Sequence, residues 1–395
     1  MNPIPYGKQN ITQADIDAVV EVLKSDYLTQ GPKIKEFEDA FASYVDANYA
    51  IAVSNGTAAL HLCAIGLNVS KGQKVITTPI TFAASANCVR YCGGEVVFGD
   101  IDPETYLLDI NSVRELLKAS PKGTYSGVIP VDFAGRAVNL EAYRELANEF
   151  GLWIIEDACH APGGSFLKAN GQLSKCGSGE FADLAIFSFH PVKHIASGEG
   201  GMITTNDESL YNRLLALRTH GIVKGDNLYT NSVHFASGVE NAESYPLWYM
   251  EMQELGYNYR LTDFQAALGL SQLQRADEGI NRRREIASTY EKAFRDKDFI
   301  KGQSGVVNGH AYHLYVIEVD NRLGLYNYLR ENHVYAQIHY IPCHLMPYYK
   351  GQGWNEGDLL NAENYYRHCI SLPMYPRLTD GEQETVINLI DSFYV

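Results

Sequence analysis

Between Ile51 and Thr204 the chain alternates short, β-branched apolar runs with stretches of helical spacing, and this alternation restricts its fold more than any other feature. The runs are Ile51 to Val53, Val75 to Thr78, Val96 to Phe98, Val128 to Val131, Trp153 to Ile155, Leu184 to Phe189 and Met202 to Thr204. Helical patterns occupy most of the gaps, at Ala58 to Leu67, Ala83 to Tyr91, Asn111 to Leu117, Leu140 to Phe150 and Glu208 to Arg218. A strand that is apolar on both sides must be covered on both faces. The pattern therefore predicts an α/β fold, a large and mostly parallel sheet flanked by helices.

Ahead of this region, Thr12 with Asp15 three residues later reads as a capping box opening an entry helix. After about His220 the character changes. A Tyr-rich stretch, Tyr229 to Tyr249, leads into one long helical pattern from Thr262 through Phe294. Strand candidates follow at Leu314 to Val319 and Tyr335 to His339, with helices near Leu323 to Glu331 and Glu382 to Phe393. The expected organisation is an N-terminal arm and large domain over residues 1–220, then a smaller α+β domain over 221–395.

Charge excludes one broad class. With 32 basic and 47 acidic residues the formal charge is −15, which argues against nucleic acid as a partner, because phosphate neutralisation needs a basic face. An anionic small substrate would need a locally basic site or backbone N–H groups. Seven cysteines, an odd number with no C-x-x-C pair, read as reduced thiols rather than a disulfide framework or zinc site. No apolar run approaches membrane-spanning length, so the expectation is a soluble, cytoplasmic protein without a membrane partner.

Two motifs mislead. Gly177-Ser-Gly179-Glu-Phe-Ala182 spells a dinucleotide fingerprint but precedes a strand, whereas the fingerprint works by joining a strand to a helix N-terminus. His190 and His194 have zincin spacing, yet Pro191 interrupts the helix such a site requires and no Glu follows the first His. No metal site is expected.

Four segments carry chemistry. Ser54-Asn-Gly56-Thr57-Ala-Ala-Leu60 is a strand end followed by a helix start, whose free N–H groups and hydroxyl suit an anion; Thr57 reads equally as a plain N-cap. Trp153-Ile-Ile-Glu-Asp157-Ala-Cys-His160 ends a buried strand in two acids at the sheet edge where open α/β folds bind ligands, although a helix cap explains them as well. Phe187-Ser188-Phe-His-Pro-Val-Lys193 places a lysine after a buried strand and before the Gly198-Glu-Gly-Gly201 turn, a setting for a Schiff-base amine. Leu255 to Asp263 contains the polar cluster Asn258-Tyr-Arg260, with Thr262 as a helix cap.

In order and spacing these segments resemble the fold-type I, pyridoxal-phosphate-dependent sugar aminotransferases of the DegT/DnrJ/EryC1/StrS family. The likeness runs from Tyr27-Leu-Thr-Gln-Gly31 to Leu372-Pro373 and includes Thr78-Pro-Ile-Thr-Phe82, Val131-Asp-Phe-Ala-Gly135, Thr219-His-Gly221, His313-Leu-Tyr-Val316 and His339-Tyr-Ile-Pro342. The resemblance implies that Lys193 is the Schiff-base and proton-shuttling residue and that Asp157 holds the pyridine nitrogen. It implies that Phe82 stacks on the ring, His160 sits near its hydroxyl edge, and Gly56, Thr57 and Ser188 bind the phosphate. Asn258 would reach the phosphate in a neighbouring subunit, making a homodimer with shared sites. Substrate contacts would come from Tyr6, Asp26, Tyr27, Leu28, Thr29, Gly56, His313, Leu314, Tyr315 and Val316. The implied reaction passes an amino group from L-glutamate to the C4 keto group of a UDP-linked 4-keto-6-deoxy N-acetylhexosamine; a different 4-keto sugar, linked to UDP or to another nucleotide such as dTDP or GDP, is the alternative. Dehydrating relatives carry His in place of the Schiff-base Lys, so Lys193 favours transfer, and its retention with Asp157 and Ser188 argues against a silent regulatory relative. The acidic, aromatic stretch Tyr245 to Glu254 departs from shorter relatives and reads either as part of the substrate entrance or as dimer surface.

Overall fold

The computed structural model describes residues 3–302 and 306–394. All seven apolar runs become strands of one sheet: β1 (Tyr49–Val53), β2 (Lys74–Thr77), β3 (Glu95–Phe98), β4 (Tyr125–Ile129), β5 (Trp153–Asp157), β6 (Leu184–Ser188) and β7 (Gly201–Thr205). Their order is β1-β7-β6-β5-β4-β2-β3. The pairs β2–β3, β2–β4, β4–β5 and β5–β6 are parallel, and β7 alone runs antiparallel to both its neighbours. Nearly every residue of β1, β5, β6 and β7 is buried, as continuous apolar strands require.

This topology builds the site edge. The carboxyl ends of β1, β5 and β6 lie together, and Gly201, the first residue of β7, stands level with Val53 and Ser188 there. A side chain at Gly201 would meet the Asn55–Gly56 backbone at 2.6 Å, so this position requires glycine.

The entry helix spans Gln13–Leu23, with its capping box formed by Thr12 and Asp15. The long helical pattern after Thr262 is instead two helices, Asp263–Leu273 and Ala276–Phe294. No Pro or Gly marks the break. Arg275 leaves helical geometry while its side chain pairs with buried Asp15 and the Asn10 carbonyl, so a tertiary tie to the N-terminal arm interrupts the helix. The strand expected at Tyr335 to His339 is shorter, Val334–Tyr335, paired with Ile4–Pro5; His339 and Tyr340 turn toward the sheet edge instead. Tyr315–Val319 forms a three-stranded antiparallel sheet with Ile300–Gly302 and Cys369–Leu372. The helix Pro32–Val45, which buries Ile34, Phe37, Phe41 and Val45, was not anticipated although its apolar spacing is helical. Among the described residues, no helix is long and apolar enough to cross a membrane.

Candidate active site

A cavity of about 700 Å³ opens at the carboxyl edge of β1, β5 and β6. Its lining includes Tyr6, Gly56, Thr57, Phe82, Asp157, His160, Ser188, Lys193 and His313, which lie far apart in sequence.

The anion end is built by the helix Gly56–Gly66. Its N-cap is Asn55, whose side chain accepts from the Ala58 N–H at 2.8 Å, so Thr57 is not the cap. The Asn55 carbonyl takes the Ala59 N–H. Among the described residues this leaves the Gly56 and Thr57 N–H groups and the Thr57 hydroxyl without an intramolecular partner at a helix N-terminus. A Cβ at Gly56 would lie 3.1 Å from Ser188 Cβ, so glycine keeps the space between the two open.

Asp157, 4% exposed, presents its carboxylate from the end of β5. Ser85 Oγ donates to its Oδ2 at 2.6 Å and the Cys159 N–H to its Oδ1 at 3.2 Å. His160 lies one turn further on, with Nδ1 accepting the Ala134 N–H at 3.2 Å and Nε2 3.3 Å from the Tyr340 hydroxyl.

Lys193 is carried by the Phe189–Gly200 loop. Phe189 and Ile195, both fully buried, anchor the loop, which closes through Phe189 N–H to Gly200 O and Ser197 N–H to Phe189 O. Burial lowers the Lys193 amine below its usual range, opposed by Cys159 and the Asp157 carboxylate and reinforced by the Arg283 cation. Its Nζ has no hydrogen-bond or ion-pair partner among the described residues. A half-buried amine left unpartnered at a cavity wall is a nucleophile rather than a structural cation.

The His313 ring packs at a tilt against that of His160, with centroids 4.3 Å apart and planes 37° apart. Arg283, 2% exposed, donates from Nη1 to the carbonyls of Tyr312, His313 and Met374, which fixes the His313 backbone. Phe82 stands at the rim, 64% exposed, its ring 6.5 Å from that of Tyr340.

The remaining expected residues lie elsewhere. Leu314, Tyr315 and Val316, expected to contact substrate, are buried in the two large hydrophobic cores and do not line the cavity. Asp26, Tyr27, Leu28 and Thr29 are exposed outside the cavity, as is Asn258, although its neighbour Tyr259 lines it. The stretch Tyr245 to Glu254 also stays outside, with Tyr245 and Tyr249 packing on Tyr229 at 4.7 and 4.9 Å. Sequence reasoning missed Asn55, Ser85 and Tyr340. Ser85 had a signal, lying one turn from Phe82 in the same segment.

These residues fit pyridoxal 5′-phosphate. The free N–H pair and the glycine cradle suit its phosphate, a held carboxylate its pyridine nitrogen, and an unpartnered amine its aldehyde. The fold and site define a pyridoxal-phosphate-dependent transferase. Residues 9–391 match the DegT/DnrJ/EryC1/StrS aminotransferase family, and the chain belongs to it. It is a sugar aminotransferase with pyridoxal phosphate as cofactor. It is 36% identical to the spore coat polysaccharide biosynthesis protein SpsC of Bacillus subtilis, over 98% of this chain and 96% of that one. It is 35% identical to a UDP-4-amino-4,6-dideoxy-N-acetyl-β-L-altrosamine transaminase of Campylobacter jejuni, over 95% and 93%. Its fold is similar to Helicobacter pylori PseC, an aminotransferase of pseudoaminic acid biosynthesis, with a TM-score of 0.86, 28% identity, and coverage of 100% of this chain and 99% of that one.

Proposed function

We propose that this enzyme transfers the amino group of L-glutamate to the C4 keto group of a UDP-linked 4-keto-6-deoxy N-acetylhexosamine, as in pseudaminic acid biosynthesis. The observation carrying the chemistry is the half-buried, unpartnered Lys193 amine in the same cavity as the Asp157 carboxylate. The likeness to the Campylobacter transaminase and to PseC supports the choice of sugar.

Bound pyridoxal phosphate supplies an electron sink that stabilises negative charge at the substrate carbon. Lys193 holds the cofactor at rest, then moves a proton at the substrate carbon. Asp157 keeps the pyridine nitrogen protonated. Phe82 covers one ring face and His160 meets the hydroxyl edge. Gly56, Thr57 and Ser188 hold the phosphate, and Tyr6 and His313 contact substrate.

A homodimer belongs to the same reading. Asn258 and the Asp26–Thr29 loop are exposed outside the cavity of their own chain, and in this reading they contribute to a second copy's site. A cytoplasmic location is supported by seven cysteines that are all free. A smaller C-terminal unit is supported by the second core, which gathers Ile286, Ile317, Leu325, Leu329, Val386 and Ile390; its boundary is proposed at residues 220/221.

The test is incubation with L-glutamate and a panel of UDP- and dTDP-linked 4-keto sugars, with the product resolved by mass and NMR. The expected result is 2-oxoglutarate together with C4 amination of the UDP-linked N-acetyl sugar. Preference for a dTDP sugar, or for another amino donor, overturns the assignment.

A further inference from the structure

The turn that carries Phe82 and the helix Ala84–Tyr91 that follows it supply two buried hydroxyls. Thr81 is 3% and Ser85 1% exposed, and their oxygens are 2.8 Å apart. Ser85 Oγ is 2.6 Å from Asp157 Oδ2. An ionised carboxylate only accepts, so the Ser85 proton is committed to Asp157, and the Ser85 oxygen then accepts from Thr81. The resulting chain runs one way, Thr81 to Ser85 to Asp157. With the Cys159 N–H on Oδ1, both carboxylate oxygens are tied, which fixes the plane of the group and leaves its remaining lone pairs for a ligand.

We propose that Ser85, backed by Thr81, is a positioning residue that sets the orientation in which Asp157 meets the pyridine nitrogen. The same short segment thereby aligns two contacts to one ring, Phe82 against its face and Asp157 at its edge. This inference rests on the proposed role of Asp157.

The test compares Ser85→Ala, Asp157→Ala and the double variant, each prepared without cofactor and titrated with pyridoxal phosphate by fluorescence. Partners behind metal-ligating side chains are worth about 10- to 100-fold when removed, and the lower end of that scale is taken for a partner behind Asp157. Ser85→Ala should weaken cofactor affinity about 10-fold. It should also lower kcat with the KM for the amino donor unchanged, since Ser85 acts behind the cofactor rather than on the donor. Ser85→Thr, which keeps the donor, should restore affinity. The double variant should bind no more weakly than Asp157→Ala alone, because Ser85 acts only through that carboxylate. Losses that simply multiply overturn the proposal, as does a lower melting temperature of the cofactor-free Ser85→Ala protein with unchanged affinity. Should Ser85→Ala not fold, Thr81→Val serves instead, with a smaller loss of affinity expected and none overturning the proposal. If Asp157→Ala itself binds cofactor as tightly as the parent, the role of Asp157 fails; if only Ser85→Ala does, the positioning inference fails alone.

Discussion

His160 and Tyr340 are joined side chain to side chain, with Nε2 3.3 Å from the phenol oxygen, in a geometry that fixes the imidazole's protonation state. The Ala134 N–H points at Nδ1, which must therefore be the unprotonated nitrogen, so the proton is on Nε2 and is donated to Tyr340. Burial, followed by the repulsion its charged form would meet from Lys193, His339 and His194 in theirs, pushes the imidazole well below its ordinary range. His160 should remain a neutral donor throughout the working pH range. Nitrogen NMR of the histidine-labelled protein should find Nε2 protonated, with no titration near the ordinary histidine value. A midpoint there would refute the assignment.

The same burial has a consequence for stability. His160, His194, His310 and His313 are held well below their usual range, and His339 is pushed down to about 3. These rings stay neutral in the fold but charge in the unfolded chain once pH falls below about 6.5. The unfolded state then binds more protons, so stability falls as pH drops below that value. Denaturant midpoints at pH 7 and pH 5 should show the loss. His339→Gln should shrink the difference between the two midpoints, and an unchanged difference would exclude His339 as a contributor.

On the other side of β5 from Asp157, Asp132, Glu156 and Cys176 bring their polar atoms within 4.8 Å of one another, all buried. The Val138 N–H donates to Asp132 Oδ1 and the Gly177 N–H to Glu156 Oε2. The other oxygen of each carboxyl has no donor from elsewhere, an arrangement two carboxyls satisfy by sharing one proton. Burial raises both groups, Asp132 to about 7 and Glu156 well above its usual range. The fold thus keeps a proton that the unfolded chain releases above about 4, and stability contributed here is lost as pH rises toward 7. Asp132→Asn, which keeps the shape and supplies a permanent donor, should flatten that slope and stabilise the protein at pH 8 by on the order of 1 kcal/mol. An unaltered slope would mean the proton is not shared.

How far the sequence revealed this architecture depends on the range of the interactions involved. The seven strands were legible because double-sided burial imposes apolar runs that are local in sequence, and the sheet-edge positions of Asp157, Ser188 and Lys193 were legible because each lies at or just past the end of such a run. The break at Arg275 was not, since it depends on Asp15, some 260 residues away. Ser85 and Asp157 are 72 residues apart, and nothing in either segment states that they touch. Asn55 and Thr57 both have the chemistry of an N-cap, and only backbone geometry chooses between them. Leu314 to Val316 look like any motif beside His313, yet they are core because both faces of their strand are packed.

Lys193→Ala removes the only amine in the cavity among the described residues. Turnover should fall by about 10²–10⁴-fold or more, since both the covalent attachment and the proton transfer depend on it. Borohydride treatment of the cofactor-loaded parent, followed by peptide mapping, should attach the label to Lys193. A label on another side chain would remove Lys193 from the mechanism.

Asn258 is exposed, bridged to Thr219, and absent from the lining of the cavity in its own chain. The preceding segment nevertheless leads directly to Tyr259, which does line the cavity, so Asn258 stands at the cavity's margin facing outward. A polar side chain there acts on a second copy's site or on none. Suppose that Lys193→Ala and Asn258→Ala subunits are unfolded together and refolded. Half of the resulting dimers are then mixed, and each mixed dimer has one site with both residues intact. About a quarter of all sites are therefore whole, and activity should recover to about a quarter of the parent's, well above either variant alone. Asn258→Ala by itself should weaken cofactor retention without lowering thermal stability, as expected of an exposed side chain. If the refolded mixture matches the average of its two components, Asn258 works within its own chain or not at all, and the shared site is wrong.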